Sequence, residues 1–257
     1  VLPTCLEEGI KVVSNAGGLD PVAAAQAIRD LGTGAKVASV SGDDLLPRFA
    51  EIGGQWTNLD TGEAFTGHPL SANAYLGARG IVAALEAGAD VVVTGRITDA
   101  ALVIGPAAWW HGWDLDSVDS LDALAGALVA GHVIECGAQA SGGNYAFFRE
   151  VPGLEHVGFP IAELAADGTS VITKHPDTGG LVSPGTVTAQ LLYEVGDEHY
   201  LNPDVTARFD TIEIDQVGKD RVRLSGVRGE GAPETLKVAI NYLGGFRNSM
   251  ALVLTGA

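Results

Sequence analysis

Three short polar segments stand where apolar runs end. They are Ser14-Asn15-Ala16-Gly17-Gly18 after IKVVS, Ser41-Gly42-Asp43-Asp44 after KVASVS, and Thr94-Gly95-Arg96-Ile97-Thr98-Asp99 after DVVVT. Glycine lets backbone come close to a ligand, and a helix beginning just after such a loop presents free N–H groups to an anion. A single loop of this kind also satisfies the ordinary needs of a strand-to-helix turn, a glycine and a cap. Three in register, carrying Asn15, Gly17, Asp43, Arg96 and Asp99, point to a site for a small molecule at the carboxyl ends of parallel strands.

Two further segments carry usable groups. Glu135-Cys136-Gly137-Ala138-Gln139 closes a helix and opens a glycine-rich loop. Glu135 and Gln139 are candidates for polar ligand contacts, and a half-buried carboxylate there suits general acid–base work. Cys136 sits beside an acid, which disfavours its thiolate, so it reads as a structural thiol. Lys174-His175-Pro176-Asp177-Thr178-Gly179-Gly180 joins a cation to paired glycines, a combination that suits a carboxylate or a phosphate. A plain charged turn is the equal alternative. The Asp43-Asp44 pair is compatible with Mg²⁺ shared with a substrate oxygen, although helix capping is the simpler reading. There is no GxGxxG, P-loop, GxSxG or clustered-histidine motif, so no nucleotide, zinc or serine-hydrolase chemistry is indicated and the cofactor stays unassigned.

The elements that must hold these loops alternate. Strands are expected at Ile10–Ser14, Lys36–Ser41 and Asp90–Thr94, with helices at Pro21–Leu31, Asp43–Ile52, Ala74–Ala87 and from Asp99 onward. Strands apolar on both faces between helices imply a parallel sheet covered on both sides. Residues 53–70 break the rhythm with turn chemistry and read as a short hairpin or flap. Trp109, Trp110, Trp113 and His111 read as core or subunit packing, and 117–134 as a helix. Beyond about residue 145 the pattern becomes α+β. A hairpin turns at Asp167-Gly168, a helix follows at Val187–Val195, and strands are expected at 206–213, 221–227, 236–242 and 250–254. The fold class is therefore α/β: a parallel part over 1–145, with its first strand missing from the numbered chain, and an α+β part over 146–257 packed on it as one unit.

The chain has 257 residues, 46% hydrophobic and 18% charged, which suits a globular protein with a sizeable core. Fifteen Lys and Arg against 32 Asp and Glu give a formal charge of −17. That field repels phosphate backbones and anionic lipid, so neither nucleic acid nor membrane is an expected partner. An anionic substrate would then need local basic residues, which directs attention to Arg96 and Lys174. No apolar run is long enough to span a bilayer, and the opening VLPTCLEEGIK lacks the charge pattern of a secretory leader. Two distant cysteines outside any CxxC fit a reducing compartment.

The segments SNAGGLDPVAAA, VSGDD, SANAYLGARGIVAALEAGADVVVTGRITDAAL, AGHVIECGAQASGGN, GFPIAELAADGTSVITKHPDTGG and TVTAQLLYEVGDEHYLNPDV together resemble the acyclic terpene utilisation (AtuA-like) family from one end of the chain to the other. The resemblance implies a cytoplasmic protein of bacteria or fungi, active beside the degradation of citronellol- and geraniol-type terpenoids or related branched acids. It also implies a longer full-length protein. Matching motif positions are Asn15, Gly17, Asp43, Asn73, Arg96, Asp99, Glu135, Gln139, Lys174 and Gly179. The expectation that follows is a non-redox enzyme, of lyase or hydratase type, acting on a branched acyl-CoA or its acid. Arg96 and Lys174 would hold the anion, Glu135 or Asp99 would act as acid or base, and Asn15, Asn73 and the glycine loops would form an oxyanion pocket. A homo-oligomer is expected. The alternatives are a non-catalytic binding subunit or scaffold of the same pathway, using the tryptophan patch, and, more remotely, a nucleotide-dependent ligase.

Overall fold

A computed structural model describes residues 1–52 and 56–253. In chain order the elements are α1 (Leu2–Glu7), β1 (Val12–Ser14), α2 (Pro21–Arg29), β2 (Val37–Val40), α3 (Phe49–Ile52), β3 (Pro69–Ala74), α4 (Arg79–Glu86), β4 (Val91–Thr94), α5 (Ala101–His111) and α6 (Leu121–Ile134). The later part holds β5 (Pro160–Leu164), β6 (Ser170–Lys174), α7 (Pro184–Leu191), β7 (His199–Leu201), β8 (Thr206–Arg208), β9 (Glu213–Gly218), β10 (Arg221–Ser225), β11 (Arg228–Glu230) and β12 (Val238–Tyr242).

The first part is the parallel α/β unit that the alternation implies. β4 lies between β1 and β2, both parallel to it. All four residues of β4 are buried, as an unbroken Val-Val-Val run requires when both faces are covered. Asp20 caps α2 by accepting the Ala23 N–H, with Pro21 at the first helical position. The later part is antiparallel: β5-β6-β10-β9 form one sheet and β11-β8-β7 another. The β5–β6 hairpin turns through Asp167 and Gly168, and Asp167 accepts the Thr169 N–H.

Several expected elements differ. Residues 74–87 are not one helix: β3 occupies 69–74 and α4 starts only at Arg79. Ala-rich SANAY has helix propensity, but its backbone pairs instead with β12, Asn73 opposite Ala239, and tertiary pairing overrides so weak a preference. Asp43–Ile52 is a 3₁₀ turn at 46–48 leading into a single helical turn. Neither Asp43 nor Asp44 is its cap residue, which is Leu45, but Asp44 accepts the Leu46 N–H. The expected strand at 206–213 breaks at a 3₁₀ turn over 209–211. Residues 250–253 form no strand, and residue 254 lies outside the described residues. The flap expected at 53–70 shows one antiparallel bridge, Thr57 with Ala64, while residues 53–55 lie outside the described residues.

α6 ties the parts together. It is apolar all round, and every residue from Ala123 to Val133 is buried, as befits a helix with no solvent face. It packs on α5 and on α7, and also on β5, β6, β8, β10 and β11. Two of its glycines make that crowding feasible. A Cβ on Gly126 would lie 2.1 Å from the Gly168 carbonyl oxygen, and one on Gly131 would lie 2.8 Å from the Ala100 Cα. Both obstacles are backbone and cannot swing away. Gly126→Ala is expected to cost roughly 1–3 kcal/mol, a fall of roughly 3–10 °C in melting temperature for a chain of this size. Gly231→Ala, where nothing lies within 4 Å, should leave the melt unchanged; differential scanning fluorimetry compares the two.

Candidate active site

The loop after β4 is fixed from below by a buried carboxylate. Asp43 is 3% exposed, and its Oδ2 accepts the Arg96 N–H at 2.8 Å and the Asn73 side-chain amide at 3.0 Å. Gly95 must be glycine here, since its Cβ would fall 2.4 Å from Asp43 Oδ1. The same loop is pinned on its other side by Leu76, which donates to the Arg96 carbonyl and accepts from the Thr98 N–H. Asn15, in the loop after β1, donates its amide to Asp99 Oδ1 at 2.8 Å. Gly17 sits against the Thr94 carbonyl and Pro21, where a Cβ would have no room.

Above this platform lies a cleft of about 690 Å³. Arg96, Thr98 and Asp99 enter it from the loop after β4, Glu135 from the end of α6, and Tyr75 from beyond β3. Tyr200 and Asn202 come from β7 and the turn after it, Glu194 from beyond α7, and Lys237 from the segment before β12. Tyr75 meets two cations: Arg96 Cζ is 5.2 Å and Lys237 Nζ 5.3 Å from its ring centre. Neither cation has a carboxylate within ion-pair reach among the described residues, whereas most other arginines do. Asp99, Glu135 and Glu194 supply negative charge to the same cleft.

Glu135 ends α6 beside His132. The Glu135 Oε1 is 3.2 Å from His132 Nδ1, and the histidine, 1% exposed, turns Nε2 toward the Leu191 carbonyl oxygen at 3.2 Å. Tyr200 packs on the imidazole with ring centres 5.1 Å apart, and Phe209 closes the aromatic box. Burial, then the nearby Glu135 charge, pushes the Tyr200 phenol up to about 12, which keeps it a neutral proton donor. Burial and Glu135 likewise raise the Cys136 thiol, making it a poor nucleophile. Two oxygens facing this region, Thr98 Oγ1 and Asn202 Oδ1, are buried and find no partner among the described residues.

The structure therefore gathers Arg96, Asp99 and Glu135 at one cleft and sets Asn15, Asp43, Asn73 and Gly17 beneath it. Asn15 and Asn73 spend amide donors on Asp99 and Asp43, so they orient the loops. Lys174 and Gly179 lie elsewhere, in the antiparallel part. Lys174 donates to the Thr178 carbonyl at 2.8 Å and pairs with Asp220 at 3.5 Å. Gly179 packs so tightly on Gly153 that a Cβ would overlap its carbonyl. Gln139 does not line the cleft, and its carboxamide oxygen is buried without a partner among the described residues. The Asp43-Asp44 carboxylates are taken up by backbone and amide donors, a poor start for Mg²⁺. Among the described residues no three His, Cys, Asp or Glu side chains are grouped as a metal site.

Tyr75, Thr98, Glu194, Tyr200, Asn202 and Lys237 escape a reading by motif. Tyr200 and Asn202 belong to the HYLNPD stretch, whose Asn-Pro turn after a short apolar run is a visible signal. Lys237 has none; it arrives because its carbonyl accepts the Tyr75 N–H at 2.9 Å.

Two measurements probe this arrangement. Asp43→Ala strands two donors and is expected to cost about 2–3 kcal/mol in urea unfolding, since an unmade buried hydrogen bond costs about 1–3 kcal/mol. In a phenolate absorbance titration of the five tyrosines, Tyr200 should ionise about two pH units above an ordinary phenol, whose reference is about 10, and Tyr200→Phe should delete that step. Because the folded value is the higher one, only the unfolded chain ionises between pH 10 and 12. Tyr200 therefore withdraws stability as pH rises through that window, by up to about 2.7 kcal/mol at about 1.36 kcal/mol per unit.

Among the described residues no helix is long and apolar enough to cross a membrane. No curated protein and no solved structure matches the chain. A sequence model of the family described as "Acyclic terpene utilisation family protein AtuA" matches residues 1–257. The chain belongs to the acyclic terpene utilisation family AtuA.

Proposed function

We propose that the cleft binds a small organic anion of acyclic terpenoid breakdown, a branched unsaturated acid or its coenzyme A thioester, and moves a proton on it. The observation that carries this reading is the pair of cations at Tyr75, Arg96 and Lys237, without carboxylate partners among the described residues of a chain of net charge −17. Two cations on one aromatic ring and without a carboxylate partner among the described residues can hold an anion by direct contact, with the three acids of the cleft set apart for proton transfer. Asp99 and Glu135 act there as base and acid, with Asn15 orienting Asp99. The proton-transfer step adds or removes water across an activated double bond, chemistry that needs only positioned acid–base groups. Thr98 Oγ1 and Asn202 Oδ1, buried and without partners among the described residues, suit the hydroxyl that hydration installs, since a buried acceptor left unmade costs about 1–3 kcal/mol.

A second reading rests on Trp110, 73% exposed beside an apolar hollow of about 430 Å³ that Pro106 and Trp109 also line. This face suits contact with another copy of the chain or with a pathway enzyme in the cytoplasm, and in this reading the protein is a subunit rather than a catalyst.

A thermal-shift series with geranic acid, geranyl-CoA, isovaleryl-CoA, free coenzyme A and ATP–Mg²⁺ separates these readings. Ligand at 100 times its Kd adds about 2.7 kcal/mol, a shift of several degrees. The shift should appear with the branched acid or thioester, vanish in Arg96→Ala and need roughly tenfold more ligand in Lys237→Met, about 1.4 kcal/mol. No shift with any ligand, together with co-purification of a pathway enzyme, would move the assignment to the subunit reading. A shift with ATP–Mg²⁺ alone would favour a ligase.

A further inference from the structure

His132 is the buried group that the proposed chemistry leaves unused, and its surroundings fix where its protons go. Its Nε2 faces the Leu191 carbonyl oxygen at 3.2 Å. A carbonyl only accepts, so Nε2 carries a hydrogen. In a neutral imidazole Nδ1 is then a bare lone pair. That lone pair lies 3.2 Å from Glu135 Oε1, and a carboxylate oxygen is also only an acceptor. Two acceptors cannot be held that close at a histidine 1% exposed and a carboxylate only 14% exposed without a proton between them. Nδ1 makes no well-aligned hydrogen bond in this arrangement, and Glu135 Oε1 at 3.2 Å is the polar atom that faces it.

We propose that His132 and Glu135 hold one proton between Nδ1 and Oε1, so that the carboxyl group lining the cleft is backed by a buried second site for that proton. Everything packed against the pair is consistent with this. Glu135 is the cap residue at the carboxyl end of α6, where the helix dipole favours a cation and disfavours a bare carboxylate. Asp99 and Glu194 share the cleft and add negative charge from the loop after β4 and from beyond α7. Tyr200 from β7 faces the imidazole as a neutral phenol, and Phe209 and Gln190 complete the enclosure without charge. Among the described residues no basic side chain other than Arg96 and Lys237 lines the cleft. In the catalytic reading above, Glu135 passes that one proton to the substrate, leaving His132 neutral with Nδ1 bare, and the pair takes a proton back from water or product before the next turnover. The imidazole thus acts through Glu135 as a positioning residue and touches no substrate.

This inference deepens the acid–base reading of the cleft and rests on it for its purpose. Its test needs no substrate, so the two can fail separately. Long-range ¹H–¹⁵N spectra of the histidine side chains, six in the chain, report the state of each ring nitrogen. One histidine, identified by its loss in His132→Gln, is expected to show a protonated Nε2 and an Nδ1 resonance moved away from that of a free lone pair. In Glu135→Gln that Nδ1 resonance should return toward the neutral lone-pair position, with folding checked by circular dichroism. A His132 with its hydrogen on Nδ1 and a bare Nε2 would overturn the proposal. An Nδ1 resonance identical in wild type and Glu135→Gln would overturn it too, since a merely structural histidine would not respond. Should His132→Gln fail to fold, Tyr200→Leu, which removes the aromatic ring 5.1 Å from the imidazole, identifies the same resonance by the lost ring-current shift.

Discussion

A carboxylate taken out of water costs several kcal/mol unless hydrogen-bond donors replace the lost hydration, and Asp43 is nearly as buried as a core leucine. Its two donors come from different strands: the Arg96 N–H follows β4 and the Asn73 amide lies in β3. Satisfying one charge therefore locks the loops after β2 and β4 to the edge of β3. The backbone reinforces the lock, for Ala74 donates to the Asp43 carbonyl and Leu45 to the Ala72 carbonyl. The position of the Arg96 side chain, and with it the charge at the cleft, depends on this arrangement.

The electrostatics of the whole chain give that position its importance. Exposed ion pairs such as Arg79–Asp116 and Arg228–Asp122 contribute little stability. Arg96 and Lys237 differ from those pairs in facing one aromatic ring instead of an acid. Lys237 also shows why β12 matters beyond its own hydrogen bonds. Pairing with β3 brings the lysine, far along the chain, to the same tyrosine that Arg96 meets.

Continuous apolar runs such as Asp90–Thr94 made the parallel sheet readable, and a loop after each run gave the address of the site, because side-chain burial on both faces leaves a recognisable composition. β3 was unreadable for the opposite reason. Its SANA segment resembles helix locally and becomes strand only through β12, a partner some 165 residues away. Lys174 looked like an anion site because a cation between a strand and paired glycines is the same composition whether it meets a ligand or, as here, the Thr178 carbonyl and Asp220. His132 and Glu135, three residues apart, share a helix face, so HVIE in an otherwise apolar helix was a legible hint. What the histidine's other nitrogen met was not, since Leu191 belongs to α7.

The cleft lies where the two kinds of architecture meet, and each contributes what its geometry does well. Loops at the ends of parallel strands hold charged groups at fixed height on a rigid sheet, which suits Arg96 and Asp99. The antiparallel part supplies Tyr200 and Asn202, in or just after a short strand beside α6, and with them a less hydrated wall. α6 runs between the two and ends at Glu135, so the apolar packing that makes this helix so closely buried also sets where the carboxyl group meets the cleft. A helix packed by glycine against backbone on two sides has little freedom to slide. The same close contact that costs side-chain volume at Gly126 and Gly131 thus holds Glu135 within reach of both His132 and Tyr200.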